Sequence, residues 1–193
     1  VLKQGIAKIM AYKTKKETDK WSLNPVKTQN LVFKSLLKSA QNTKFGRDHN
    51  FSSIHDHQDF VKNTPIRDYE GFKSYVDLIK KGKKNILWKG LPVYFAITSG
   101  TTSGIKYIPI TKESLPEHFN ASKNAMLLYI KETGNTKLLS GKLIFLQGSP
   151  ALDFEGVIKT GRLSGISAHH VPRYLQSNRL PTWETNCIED WET

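Results

Sequence analysis

The residues best equipped for chemistry form one run, Phe95-Ala96-Ile97-Thr98-Ser99-Gly100-Thr101-Thr102-Ser103-Gly104-Ile105-Lys106-Tyr107. Thr98, Ser99, Thr101, Thr102 and Ser103 bring hydroxyls, Gly100 and Gly104 bring backbone freedom, and Lys106 stands just past them. Glycines let a chain turn tightly and present successive N–H groups, hydroxyls add donors, and lysine adds a compact positive charge, a set that suits phosphate oxygens. The run differs from the common nucleotide-hydrolase P-loop, in which Gly-Lys-Ser/Thr follows four intervening residues, because Ile105 separates Gly104 from Lys106. No Gly-x-Gly-x-x-Gly occurs, so the dinucleotide fingerprint is absent. Residue types alone leave a second reading equally open, an unliganded hydroxyl-rich β-hairpin, since Ser, Thr and Gly are ordinary turn residues.

Other reactive side chains are sparser. His55 and His57 straddle Asp56, but two ligands without companions make a weak metal site, and Asp56 reads better as a helix start. No metal site is assigned from the sequence, and no catalytic residue either. His118 falls on a predicted helix as a surface residue, and His169 and His170 fall in an irregular stretch. The lone cysteine, Cys187, supports neither an internal disulfide nor a Cys-based cluster.

The elements that must position the loop follow from hydrophobic period and punctuation. Leu2, Ile6, Ile9 and Met10 share one face of a first helix expected to end before Asp19. Asn24 and Pro25 open a second, in which Val26, Leu31, Phe33, Leu36, Leu37 and Ala40 form a broad apolar side. A short helix is predicted from Asp56 to Lys62, and another from Asp68 to Lys81, stopped by Gly82. After Gly90 the period changes: Val93 to Thr98 and Tyr107 to Ile110 read as strands flanking the polar run. Thr111 is the expected cap of a long helix from Glu113 to Glu132, and Leu143 to Leu146 reads as a short buried strand. The expected class is therefore α/β, with a helical, basic segment over 1–90 and an α/β part carrying the loop over 91–193.

Composition narrows the partners. The chain has 193 residues, 38% hydrophobic and 24% charged, values typical of a folded globular protein. No apolar run reaches the roughly 18–20 residues of a membrane span, and Val1 to Lys20 lacks the pattern of a secretory signal; the chain is read as cytoplasmic, without a membrane partner. Its net charge of +12 is concentrated in residues 1–90, which hold 19 basic against 8 acidic side chains. Most of the bases are lysines on polar helix faces, with no nucleic-acid-binding signature, so a solvated surface is favoured and a nucleic-acid partner is not expected. A non-catalytic module that binds polyanions through its basic first third is kept as the alternative.

Thr98 to Lys106 resembles the phosphate-binding signature of the adenylate-forming superfamily of acyl-CoA synthetases, adenylation domains and luciferases. Its surroundings look more specifically like the auxin-responsive promoter (Gretchen Hagen) acyl acid amido synthetases, in their bacterial form. The residues carrying that likeness are Thr64-Pro65-Ile66-Arg67-Asp68-Tyr69-Glu70, Lys80-Lys81-Gly82, Thr98 to Lys106, Ile108-Pro109-Ile110-Thr111, Gly165-Ile166-Ser167, Val171-Pro172-Arg173 and Leu180-Pro181. The resemblance implies ATP, with magnesium, as the activating cofactor, and a carboxylic acid and an amino acid as substrates. An acyl-adenylate would form first and the amide second. It assigns Thr98, Ser99, Gly100, Thr101, Thr102, Ser103 and Gly104 to phosphate binding. Lys106 is either a phosphate partner or a prop for the loop. Asn120, Lys123 and Asn124, on the helix after the loop, are possible contacts for the acid, although an amphipathic core helix with a solvated side is the commoner reading of such a pattern. An acyl-CoA ligase is the competitor within the superfamily. The sequence shows no aromatic-x-Ser/Thr-Glu motif for adenine, no Arg-x-Gly-Asp-like ribose site and no hinge or C-terminal lysine region. It is thus expected to be part of a larger N-terminal domain whose enzyme continues in a missing C-terminal portion.

Overall fold

A computed structural model describes residues 2–98, 104–176, 178–188 and 190. In chain order the helices are α1 (Leu2–Ser22), α2 (Pro25–Ala40), α3 (Lys44–Asp48), α4 (His57–Asn63), α5 (Glu70–Lys80), α6 (Leu115–Thr133), α7 (Leu163–Ala168), α8 (Arg173–Gln176) and α9 (Trp183–Asn186). The strands are β1 (Tyr94–Thr98), β2 (Lys106–Ile110), β3 (Leu143–Ile144), β4 (Asp153–Glu155), β5 (Ile158–Arg162) and β6 (Arg179–Leu180). They fall into two compact units, one of residues 26–112 and 153–160, the other of residues 1–25, 113–152 and 161–193.

The first of these units contains a four-stranded sheet in the order β2-β1-β5-β4, with β1 antiparallel to β2 and β4 antiparallel to β5. Its core joins Tyr75, Val76 and Ile79 of α5 to Phe95, Ile86 and Ile158. The apolar stripe of α5 recurs every three or four residues and so faces one side throughout, and the helix stops where Gly82 takes a φ of 78°. A second cluster packs Leu37 and Ala40 of α2 on Phe51 and Ile54. Phe45 touches both, stacked on His49 at 4.0 Å and edge-on to Tyr75 at 5.3 Å. His49 donates from Nδ1 to the Phe45 carbonyl at 2.8 Å and accepts at Nε2 from Arg67 at 2.8 Å. The expected helix start at Asp56 is present as a cap, its carboxylate accepting the Asp59 N–H at 2.9 Å.

In the other unit α1 packs on α6, and here the expected face of α1 is wrong. Ala7 and Ala11 are buried against Leu127 and Ile130, whereas Leu2, Ile6 and Ile9 are 80%, 50% and 72% exposed and Met10 is also on the outside. Two alanines one turn apart let α6 approach the α1 backbone closely, a packing that larger side chains would hold apart. The helix also continues past Asp19 to Ser22, with Lys15 and Asp19 paired at 2.5 Å one turn apart. Helix α6 starts at Leu115, so Thr111 is not its cap, and it ends on Gly134 at a φ of 68°. The strand expected over Leu143 to Leu146 is shorter and is not buried. It pairs in parallel with β6 alone, leaving Ile144, Phe145 and Leu146 exposed. No helix among the described residues is long and apolar enough to cross a membrane.

Candidate functional site

The strands flanking the hydroxyl-rich run pair with one another. β1 and β2 pair from Tyr94 opposite Ile110 to Thr98 opposite Lys106, so the last rung of the ladder carries the first hydroxyl of the run and its lysine side by side. Cross-strand partners lie about 4.5–5.5 Å apart at Cβ, which places both at the mouth of the turn. Ser99, Gly100, Thr101, Thr102 and Ser103 lie outside the described residues. Gly104 has a φ of 78° and open space where a Cβ would stand; this left-handed conformation is one that glycine adopts without strain.

The hairpin is anchored from behind. Phe95 is fully buried, and its ring meets the Tyr107 ring edge-on at 5.7 Å. The Tyr107 N–H donates to the Tyr69 hydroxyl at 2.9 Å. Lys106 Nζ lies 5.8 Å from the Tyr69 ring centroid, and Lys80 Nζ lies 3.5 Å from that of Tyr107. Lys80 is also paired with Glu155 at 3.4 Å. Burial, followed by a hydrogen bond to Glu155, raises the Tyr107 phenol above its ordinary pKa. The turn after β4 is pressed against α5: a Cβ on Gly156 would collide with the Lys80 carbonyl oxygen. Among the described residues Lys106 forms no ion pair with a carboxylate, so its charge remains available to an anion.

The proposed acid contacts belong to the other unit. Lys123 donates to Asn120 Oδ1 at 2.8 Å, and with Asn124 they continue, at helical spacing, the stripe of α6 that buries Leu127. That unit also holds a cavity of about 810 Å³, whose lining includes Leu146, Gly148, Ser149, Arg162, Ser164 and Ile188. Asn120, Lys123 and Asn124 do not line it. His169 and His170 have structural contacts. His169 bonds the Pro150 carbonyl at 2.7 Å and meets Trp183 edge-on, while His170 stacks on Phe119. Among the described residues no three His, Cys, Asp or Glu side chains are grouped to hold a metal ion.

The sequence marks Thr98 to Lys106 as the candidate loop but gives no sign of the side chains that support the flanking strands. Lys80 stands in the Lys80-Lys81-Gly82 turn and Tyr69 near the start of a predicted helix, and neither carries a local sign of this role. The pairings of Tyr69 with Tyr107 and of Lys80 with Glu155 cross long stretches of sequence, and no local period announces them.

Residues 14–192 match the family described as GH3 family N-terminal domain. Indole-3-acetic acid-amido synthetase GH3.15 of Arabidopsis thaliana is 34% identical over 109 residues, which is 55% of this chain and 18% of that protein. The solved structure of AtGH3.15 acyl acid amido synthetase in complex with 2,4-DB superposes with a TM-score of 0.64 at 25% identity, covering 83% of this chain and 28% of the other. A second structure, GH3.15 acyl acid amido synthetase, gives a TM-score of 0.66 at 24% identity over 77% and 27%, a likeness of fold. The chain therefore spans less than a third of the length of these relatives. With the family match running across nearly all of its residues and the same fold recurring in the solved relatives, the chain belongs to the GH3 family, as its N-terminal domain.

Proposed function

We propose that this chain carries the ATP-phosphate-binding part of a cytoplasmic acyl acid amido synthetase. The observation supporting the reading is the hairpin mouth, where Thr98 and Lys106 stand opposite one another on the strands flanking a Ser/Thr/Gly run, in a chain of the GH3 family. Bound ATP, accompanied by magnesium, supplies an electrophilic α-phosphorus: a carboxylate oxygen bonds to it as pyrophosphate leaves, and the amine of an amino acid then displaces AMP and loses a proton to give the amide. The protein's part is to hold the phosphates in line and to offset the charge that develops on them. Ser99, Thr101, Thr102 and Ser103 donate from hydroxyls, Gly100 and Gly104 allow the backbone to wrap, and Lys106 supplies the cation. The donor set fits a polyphosphate, being rich in hydroxyls and N–H groups with one ammonium that forms no ion pair among the described residues. Asn120, Lys123 and Asn124 are the proposed polar contacts for the acid.

The test is acid-dependent exchange of labelled pyrophosphate into ATP, run on the longest polypeptide that the gene encodes in its native host, after its intact mass has been measured. Alanine at Ser99 and Thr101 together abolishes exchange on this reading. Exchange that persists unchanged in the double variant refutes the assignment of the loop. Retention on a polyanion that falls steeply with salt, in a chain without exchange activity, points instead to the binding-module alternative.

A further inference from the structure

Among the described residues β2 is the outer strand of its sheet, bonded to β1 on one side only. Such a strand leaves alternate N–H groups facing outward, where water ordinarily takes them. The Tyr107 N–H instead donates to the Tyr69 hydroxyl at 2.9 Å. The same residue presents its ring to Lys106, with Nζ 5.8 Å from the centroid. Tyr69 stands immediately before α5, and the far end of that helix reaches the same strand, because Lys80 sits 3.5 Å over the Tyr107 ring and is held by Glu155. One helix thus grips the first two residues of β2 from both of its ends. A lysine on a fraying edge strand would sample many orientations. Here its backbone neighbour is pinned and its ammonium has an aromatic face beside it.

We infer that Tyr69 is a positioning residue for Lys106: its hydroxyl fixes the strand at Tyr107, and its ring holds the lysine side chain on the side of the hairpin mouth. The inference rests on the reading of the loop as an ATP-phosphate site. Tyr69 touches no reacting atom and acts through Lys106. Its effect belongs in the affinity for nucleotide more than in the turnover of bound nucleotide.

Tyr69→Phe keeps the ring and removes the hydroxyl, and Lys106→Gln removes the cation. In the pyrophosphate-exchange assay on the full-length enzyme, Tyr69→Phe is expected to raise KM for ATP about 5–10-fold, the loss carried by one hydrogen bond, with kcat changed less than twofold. In a Lys106→Gln background, itself raised in KM, adding Tyr69→Phe is expected to produce no further rise. Amide exchange of the peptide containing Tyr107, read by hydrogen–deuterium exchange mass spectrometry on the full-length enzyme, is expected to accelerate in Tyr69→Phe while the remaining peptides keep their protection, showing that the pin is lost while the fold remains. An unchanged KM in Tyr69→Phe overturns the inference. So do effects of Tyr69→Phe and Lys106→Gln that multiply, because a merely structural residue would weaken the enzyme whether or not the lysine were present. If the Ser99 and Thr101 double variant is dead while Lys106→Gln binds ATP normally, the positioning inference fails and the functional reading stands. If the wild-type enzyme exchanges no pyrophosphate, the functional reading fails and takes this inference with it.

Discussion

Truncating Phe95 to alanine probes whether the sheet behind the loop is packed as described. The side chain has no exposed surface, lies among Tyr75, Val76, Ile79, Ile86 and Ile158, and meets the Tyr107 ring edge-on. A buried phenylalanine removes about 150–250 Å² from water, worth about 4–6 kcal/mol at 25 cal/mol per Å². Alanine keeps part of that, but a cavity and a lost aromatic contact add to the cost, so the expected destabilisation is about 3–5 kcal/mol. In a chain of this size each kcal/mol moves the melting temperature by about 2–4 °C, giving a fall of about 6–20 °C. The assay is urea unfolding followed by tryptophan fluorescence, in which Trp88, packed on the neighbouring cluster of the same unit, reports on the unit that contains Phe95. Phe154→Ala is the control: it lies in the same sheet but is 66% exposed, and its expected effect is within about 0.5 kcal/mol. A loss below about 1 kcal/mol for Phe95→Ala, or equal losses for the two variants, refutes the packing argument.

Two further perturbations test local geometry and charge. A Cβ on Gly165 would strike the Ser149 carbonyl oxygen, so Gly165→Ala must push α7 off the Gly148–Ser149 segment, and a loss of about 1–3 kcal/mol in thermal melts is expected; an unchanged melting temperature contradicts the close approach. Lys44, first, and then the Tyr75 hydroxyl hold the Asp48 carboxyl below the ordinary carboxylate range by hydrogen bonding it. Because the folded pKa is depressed, the unfolded chain binds more protons as acid is added: the contribution is complete above the unfolded value and is lost as pH falls through the folded one. Asp48→Asn should therefore flatten the acid limb of a stability-against-pH curve while lowering stability at pH 7, and a parallel acid limb in both proteins rules the coupling out.

The parts of the fold that were legible are those announced by residues next to one another. Asn24-Pro25 opens α2, Asp56 caps α4 and Gly82 stops α5, each through a backbone requirement that only a few residue types meet. The hairpin was legible for the same reason, as β-branched and aromatic runs on either side of a polar, glycine-bearing turn. What misled was the face of α1. A period of three and four residues identifies a stripe, and on size alone the stripe of Leu2, Ile6, Ile9 and Met10 is the one an amphipathic helix would bury. The helix packs instead on Ala7 and Ala11, because proximity of the backbones outweighed the size of the side chains. Within the candidate site the first strand ends at Thr98 as expected, but the second begins at Lys106, one residue before the expected Tyr107, and the pairings that hold Lys106 join residues remote in the chain.

That distance explains why the support of the loop is shared by three separate stretches. Residues 94–110 make the hairpin, residues 69–80 supply Tyr69 and Lys80, and residues 153–160 return to the same unit to place β5 beside β1 and Glu155 beside Lys80. The last stretch fixes the hairpin in two ways. β5 lies beside β1 on the side away from β2, so β1 is a central strand. Glu155 neutralises Lys80, which otherwise would place an unpaired ammonium against the Tyr107 ring. Among the described residues Lys106 has no carboxylate partner, whereas Lys80 is committed to Glu155. The division of labour between the two lysines follows from which of them the β4–β5 turn can reach, and Gly156, where any side chain would collide with the Lys80 backbone, is the residue that lets it reach.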